Sequence, residues 1–158
     1  MSVKINKEAM NREFASISED SSLKEAFEAI KKNLEGPPHS PGLVVLDKQG
    51  RCAGMLTMDD LMQDLGRLYR DACDKPGQKD WADRFFNQCE IAKLEKVSSI
   101  MSGKGIAVGS GANFDQSCEL ILSKNLPMLP VVEEGSLKAV GIVTRRMVFE
   151  ELGPKMFR

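Results

Sequence analysis

The chain has 158 residues, 42% hydrophobic and 28% charged, which is enough apolar material for a buried core; 13 Gly and 7 Pro are too few for a disordered or collagen-like chain. Lys and Arg total 22 against 23 Asp and Glu, so a net charge of -1 leaves no broad field for phosphate backbones or an anionic membrane. Nucleic-acid binding and membrane insertion are both disfavoured.

Met1 to Asn11 carries lysines but no apolar signal-peptide core, and no run approaches the ~18 apolar residues of a membrane span. A cytoplasmic location is expected. The Met-Ser start lacks the glycine that myristoylation requires, and Lys155-Met156-Phe157-Arg158 offers no prenylatable cysteine, so lipid anchoring is not expected. Phe14-Ala15-Ser16-Ile17 reads as a short strand. Ser22-Leu23-Lys24-Glu25 has the form of a capping box, opening a helix whose apolar face carries Leu23, Phe27 and Ile30.

After the Gly36-Pro37-Pro38-His39 loop, the run Leu43 to Leu46, the polar turn Asp47-Lys48-Gln49-Gly50 and a second apolar run form a hairpin signature. The second run ends at Thr57. Beyond it Leu61, Leu65, Leu68 and Tyr69 recur at helical spacing. A long insertion follows, roughly Gly66 to Lys96, broken by Lys75-Pro76-Gly77. Asp80 is placed to cap a helix with Trp81, Phe85, Cys89 and Ala92 on one apolar face. Such a face is core or, given the chain's only Trp in a connection, a dimer contact or docking surface.

The same order of elements then returns. Gly105-Ile106-Ala107-Val108 reads as a strand, and Asn113-Phe114-Asp115-Gln116 opens a helix bearing Phe114, Cys118 and Ile121. Val131 and Val132, the turn Glu133-Glu134-Gly135-Ser136 and the run to Thr144 form a second hairpin, followed by Val148 and Leu152 at helical spacing. Gly42 to Leu65 overlies Leu129 to Leu152 at a constant offset of 87, and the upstream segments agree at 91. The first copy therefore carries four extra residues near its proline loop.

Each repeat reads strand, helix, strand, strand, helix, and is too small to bury a secure core alone. The expected fold is mixed α+β (α/β), with two repeats packed sheet to sheet about a pseudo-twofold axis. Their expected bounds are residues 10–65 and 97–153, with a helical insertion over 66–96. Cys52, Cys73, Cys89 and Cys118 lack the spacing of a zinc site or disulfide framework, and read as reduced, small buried hydrophobes.

This arrangement resembles the CBS-domain family, named after cystathionine β-synthase, in its tandem form, the Bateman module. Val97-Ser98-Ser99-Ile100-Met101 resembles the family's V-x-x-I-M opening; Leu129-Pro130-Val131-Val132 resembles its L-P-V-V strand; Gly141-Ile142-Val143-Thr144-Arg145-Arg146 resembles its G-I-V-T-x-x ending. The resemblance implies a regulatory module that binds an adenosine ligand, AMP, ADP, ATP or S-adenosylmethionine. It also implies homodimerisation and a regulated partner such as an enzyme, channel or transporter. No obligatory cofactor or metal is implied.

The family's ribose and phosphate signature, G-x-x-[Ser/Thr]-x-x-Asp, is matched by Gly54, Thr57 and Asp60. A carboxylate accepts from both ribose hydroxyls, while a Thr hydroxyl and helix-start amides suit a phosphate. Thr57-x-x-Asp60 is also a capping box, and the two roles can coexist. The second repeat has Met147 in place of Asp, so one good site is expected, in the first repeat. By alignment, Phe14, Ala15 and Ser16 are expected to flank the adenine, His39 and Ser40 to offer polar contacts, and Arg145 or Arg146 to pair with phosphates. Leu43 stands where the family's strand proline is expected. The competing readings are a scaffold or dimerisation subunit without a ligand, and an enzyme, for which no motif is present.

Overall fold

A computed structural model describes residues 4–37, 39–73 and 79–157. Lys75-Pro76-Gly77, expected to break the insertion, lies outside the described residues, as does Pro38. In the first half, β1 (Ser16–Ser18), β2 (Gly42–Leu46) and β3 (Cys52–Thr57) form a sheet in that order, joined on the far edge by β4 (Gly103–Lys104). In the second half, β5 (Val108–Gly109), β6 (Met128–Val132) and β7 (Ala139–Thr144) form another. In both, the first strand runs parallel and the third antiparallel to the middle one, with a register shift at the same point of the hairpin.

Helices cover these sheets. A one-turn helix α1 (Asn6–Ala9) precedes β1; α2 (Leu23–Glu35) joins β1 to β2, and α3 (Met58–Ala72) leaves β3. The insertion holds α4 (Trp81–Ala92), and a second one-turn helix α5 (Val97–Ile100) precedes β4. In the second half α6 (Phe114–Lys124) joins β5 to β6, and α7 (Arg145–Leu152) leaves β7, ending in a 3-10 turn over Gly153–Phe157. Two cores form beneath the helices, one around Leu43, Val45 and Leu56 and one around Leu129, Val131 and Val143. A third, of Val44, Met55, Met128 and Ile142, lies between the sheets and joins the halves. The alternation of β2 and β6 explains all three: side chains successive along a strand point to opposite faces.

The leading segments of the two repeats exchange places. Asn6 and Lys7 donate from their backbone amides to Ala112 and Ser110 of the second half, at 2.9 and 2.8 Å. Their counterparts 91 positions on, Val97 and Ser98, donate to Ser21 and Glu19 of the first, at 2.8 and 3.0 Å. Bridges between Ile5 and Asn113 and between Ser22 and Lys96 repeat the symmetry. Each half is thus completed by the other's leader, and the pseudo-twofold relation is written in backbone bonds.

This exchange corrects several details of the sequence reading. The first strands begin at Ser16 and Val108, not at Phe14 and Gly105, because the chain is there crossing between halves, with Phe14 and Ile106 packed on the inter-sheet core. Asn113 makes no side-chain cap; the first amide of α6, on Phe114, is instead taken by the Lys4 carbonyl at 2.8 Å. Ser22 caps α2 by accepting from the Glu25 amide at 3.2 Å. Trp81 and Phe85 are half-buried: α4 folds back on α3, with the Trp81 and Phe85 rings 5.3 and 6.1 Å from that of Tyr69. Cys52, Cys89 and Cys118 are free thiols, and of these only Cys118 is fully buried. Burial pushes the Cys52 and Cys118 thiols up from their ordinary pKa, which keeps them protonated and unreactive.

Candidate functional site

The junction of β3 and α3 is built by a reciprocal cap. Thr57 keeps an extended backbone, its hydroxyl accepts from the Asp60 amide at 3.3 Å, and its own amide donates to Asp60 Oδ2 at 2.9 Å. Both residues are 4% exposed. A buried carboxylate is costly unless it is hydrogen-bonded, and here the second oxygen is met as well: the Ser102 hydroxyl donates to Asp60 Oδ1. Ser102 belongs to the leader of the second repeat, which reaches Asp60 because β4 pairs with β3.

That pairing needs glycine at 54. Gly54 has φ +137°, and a Cβ there would sit 2.1 Å from the Gly103 carbonyl oxygen. The glycine of the signature therefore admits the crossing segment, and with it Ser102. The first helical amide, on Met58, is taken by the Pro41 carbonyl at 2.8 Å, so it is not free for a phosphate as the sequence suggested.

The second repeat reproduces the geometry without the charge. The Thr144 hydroxyl accepts from the Met147 amide at 3.3 Å, and the Thr144 amide points at Met147 Sδ at 3.4 Å. A thioether is a weak, neutral acceptor. It completes the cap but offers no anion to a diol.

The expected site residues fall in three places. Thr57 and Asp60 are together, and Asp60 lines a hollow of about 500 Å³ with Gln63, Arg67, Arg70 and Ser99. His39 and Arg145 line a different cavity between the halves, of about 620 Å³, with Asp59, Asn11 and Met147. His39 has φ +56° and its Nδ1 lies 3.1 Å from the Leu34 carbonyl oxygen at the end of α2. Arg145 donates to the carbonyls of Asn125 and Leu126, at 2.9 and 3.3 Å, closing the end of α6. Arg146 pairs with Glu150 at 2.9 Å.

Phe14, Ala15, Ser16 and Ser40 line neither space. Phe14 packs between the sheets, Ala15 packs on the first core, and Ser16 is an exposed residue of β1. Ser40 is buried, its hydroxyl 3.4 Å from the Gly42 amide and 3.5 Å from Met128 Sδ, and its carbonyl accepts from Asn33 at 2.8 Å. It fixes the approach to β2. The residue that the sequence reading missed is Ser102, whose signal was its place directly after Val97-Ser98-Ser99-Ile100-Met101.

The duplicated sheets, exchanged leaders and capped Thr57 and Asp60 coincide with a known family. The CBS-domain profile matches residues 7–67 and 97–153. The chain belongs to the CBS-domain family. No curated protein sequence matches this CBS pair. Among solved structures it is similar to the CBS domains of a transcriptional regulator from Streptococcus pneumoniae, at 19% identity and TM-score 0.65, covering 94% of this chain and 99% of that one. It is similar to CBSX2, solved in complex with AMP, at 18% identity and TM-score 0.65 over 98% of each chain. The CBS pair of protein MJ0100, solved with 5'-methylthioadenosine and S-adenosylmethionine, aligns at 17% identity and TM-score 0.66 over 98% of this chain and 99% of that one. At such identities the likeness establishes the shared fold. Among the described residues, no helix is long and apolar enough to cross a membrane.

Proposed function

We propose that this CBS pair is a cytoplasmic regulatory module, not an enzyme, that binds one adenosine-containing ligand at its first repeat and modulates a partner enzyme or transporter. The observation that carries this reading is the buried Asp60 carboxylate at the start of α3, at the one repeat of the two that retains an anion there. A ribose diol donates two hydrogen bonds, and a carboxylate is the acceptor that takes both. Arg70, lining the same hollow, supplies positive charge for phosphates, while Arg67 beside it is paired with Asp64 and Asp71. Structures of similar fold solved with AMP, with S-adenosylmethionine and with ATP support the choice of AMP, ADP, ATP or S-adenosylmethionine. The 10–65 and 97–153 repeats act as one unit, since each holds the other's leader.

The module also forms a homodimer. Leu122, Phe149, Met156 and Phe157 are all exposed on the α6 and α7 side of the second repeat, around an apolar groove with Leu152. On the matching side of the first repeat α4 packs against α3, leaving an apolar hollow among Leu23, Phe27, Leu65 and Cys89. This apolar surface also favours a second reading, a scaffold that assembles without a ligand, in which Thr57 and Asp60 serve only as a helix cap.

A thermal-shift series with AMP, ADP, ATP and S-adenosylmethionine separates the two. A ligand at 100 times its Kd adds about 2.7 kcal/mol to stability and raises Tm. An unchanged Tm with all four at millimolar concentration would leave the scaffold reading standing alone.

A further inference from the structure

Asp60 is fully engaged before any ligand arrives, and its two oxygens are engaged differently. Oδ2 accepts from the amide of Thr57, the extended residue at the end of β3 that caps α3, and cannot leave without breaking the cap. Oδ1 accepts from the Ser102 hydroxyl, which leaves by a turn about one side-chain bond. A diol approaching Asp60 therefore competes with Ser102.

The segment around Ser102 is a strap. Gly103 and Lys104 pair with Met55 and Gly54, and the Gly105 amide donates to the Ala53 carbonyl at 2.9 Å. Val97 and Ser98, just before it, anchor to Ser21 and Glu19. The strap thus leads from the insertion into the second repeat, across the edge of the first sheet. The second half contains an internal comparison. There Asn11, the counterpart of Ser102, exchanges backbone bonds with Ile142 at 2.9 Å in each direction, and its Oδ1 accepts from the Glu13 amide at 2.9 Å. The residue in the place of Asp60 is Met147, whose sulfur faces the Thr144 amide. The half that retains the carboxylate is the half whose strap is tied to it.

We propose that Ser102 is a latch: its hydroxyl holds the Asp60 carboxylate and the strap together in the ligand-free state, and a bound ribose displaces it and loosens residues 102–105. This rests on the reading that Asp60 holds the ribose. Occupancy of the first repeat is then transmitted to the chain that joins the repeats. Ser102 is a positioning residue acting through Asp60, and a hydroxyl to a carboxylate is worth about tenfold in the competing equilibrium.

The test is the full chain and its Ser102→Ala variant, titrated with AMP, ATP and S-adenosylmethionine, with hydrogen exchange read at the Gly105 amide. The variant is expected to bind about tenfold more tightly than the wild type. Its Gly105 amide is expected to exchange faster without ligand, and to change little on binding. In the wild type, ligand should accelerate that exchange. Equal or weaker binding by Ser102→Ala, or protection of Gly105 on binding, overturns the latch while leaving the functional reading intact. Binding by neither protein overturns the functional reading, and the latch with it.

Discussion

Ser117 donates to Asn6 Oδ1 at 2.8 Å across 111 positions, with both side chains fully buried. Asn6 also donates to the Gly109 carbonyl at 2.8 Å. One residue of the first leader thereby ties α1 to the start of the second sheet and to α6. Asn6→Ala leaves a buried hydroxyl and a carbonyl without their partner and is expected to cost about 1–3 kcal/mol. Urea denaturation should show a lower midpoint with little change in slope.

Gly54 combines a left-handed backbone with a 2.1 Å approach of a would-be Cβ to the Gly103 carbonyl. Backbone cannot step aside as a flexible side chain can. Gly54→Ala is expected to displace the strap and to destabilise by about 2 kcal/mol or more, measured by thermal unfolding. Gly50→Ala, with φ +78° and nothing within 4 Å, tests the backbone strain alone and should cost less.

Glu134 lies on the second hairpin turn, where hydrogen bonds from its own backbone and from the Gly111 amide, at 2.8 Å, hold its carboxyl below the ordinary value. A carboxyl depressed in the folded state stabilises above its unfolded pKa, and that contribution is lost as pH falls through the folded value. Stability should therefore decline with acid below about pH 4.5, the ordinary value of this group. Glu134→Gln should flatten that part of the profile in acid unfolding followed by circular dichroism.

Two apolar surfaces have opposite expected roles. Phe149 is 74% exposed on α7, whereas Trp81 stacks edge-on against Tyr69 within the chain. Phe149→Asp is expected to convert a dimer to a monomer in light scattering, and to remove any dependence of Tm on protein concentration. Trp81→Ala is expected to cost about 1–3 kcal/mol of stability and leave the oligomeric state unchanged.

The duplication was legible because each hairpin is local: the runs ending at Thr57 and Thr144 carry their own turn and helix start. The capping box of Thr57 and Asp60 was legible for the same reason. The exchanged leaders were not, because α1 and α5 are single turns with no periodicity to read, and their partners lie in the other half of the chain, far away in sequence. Ser102 was out of reach for the same reason: alignment within one repeat brings no residue of the other repeat's leader to Asp60, and only the crossing does. Asn113 failed as a cap for a related reason: the Lys4 carbonyl, from the exchanged leader, takes the first amide of α6.

The most direct measurement is calorimetric titration of AMP, ADP, ATP and S-adenosylmethionine into the wild type and Asp60→Ala. One ligand should bind the wild type with one site per chain, and the variant should bind it roughly 100-fold more weakly, for the loss of two hydrogen bonds to a charged acceptor. Equal affinity in the two proteins, or no heat with any of the four, would contradict a ribose-holding role for Asp60.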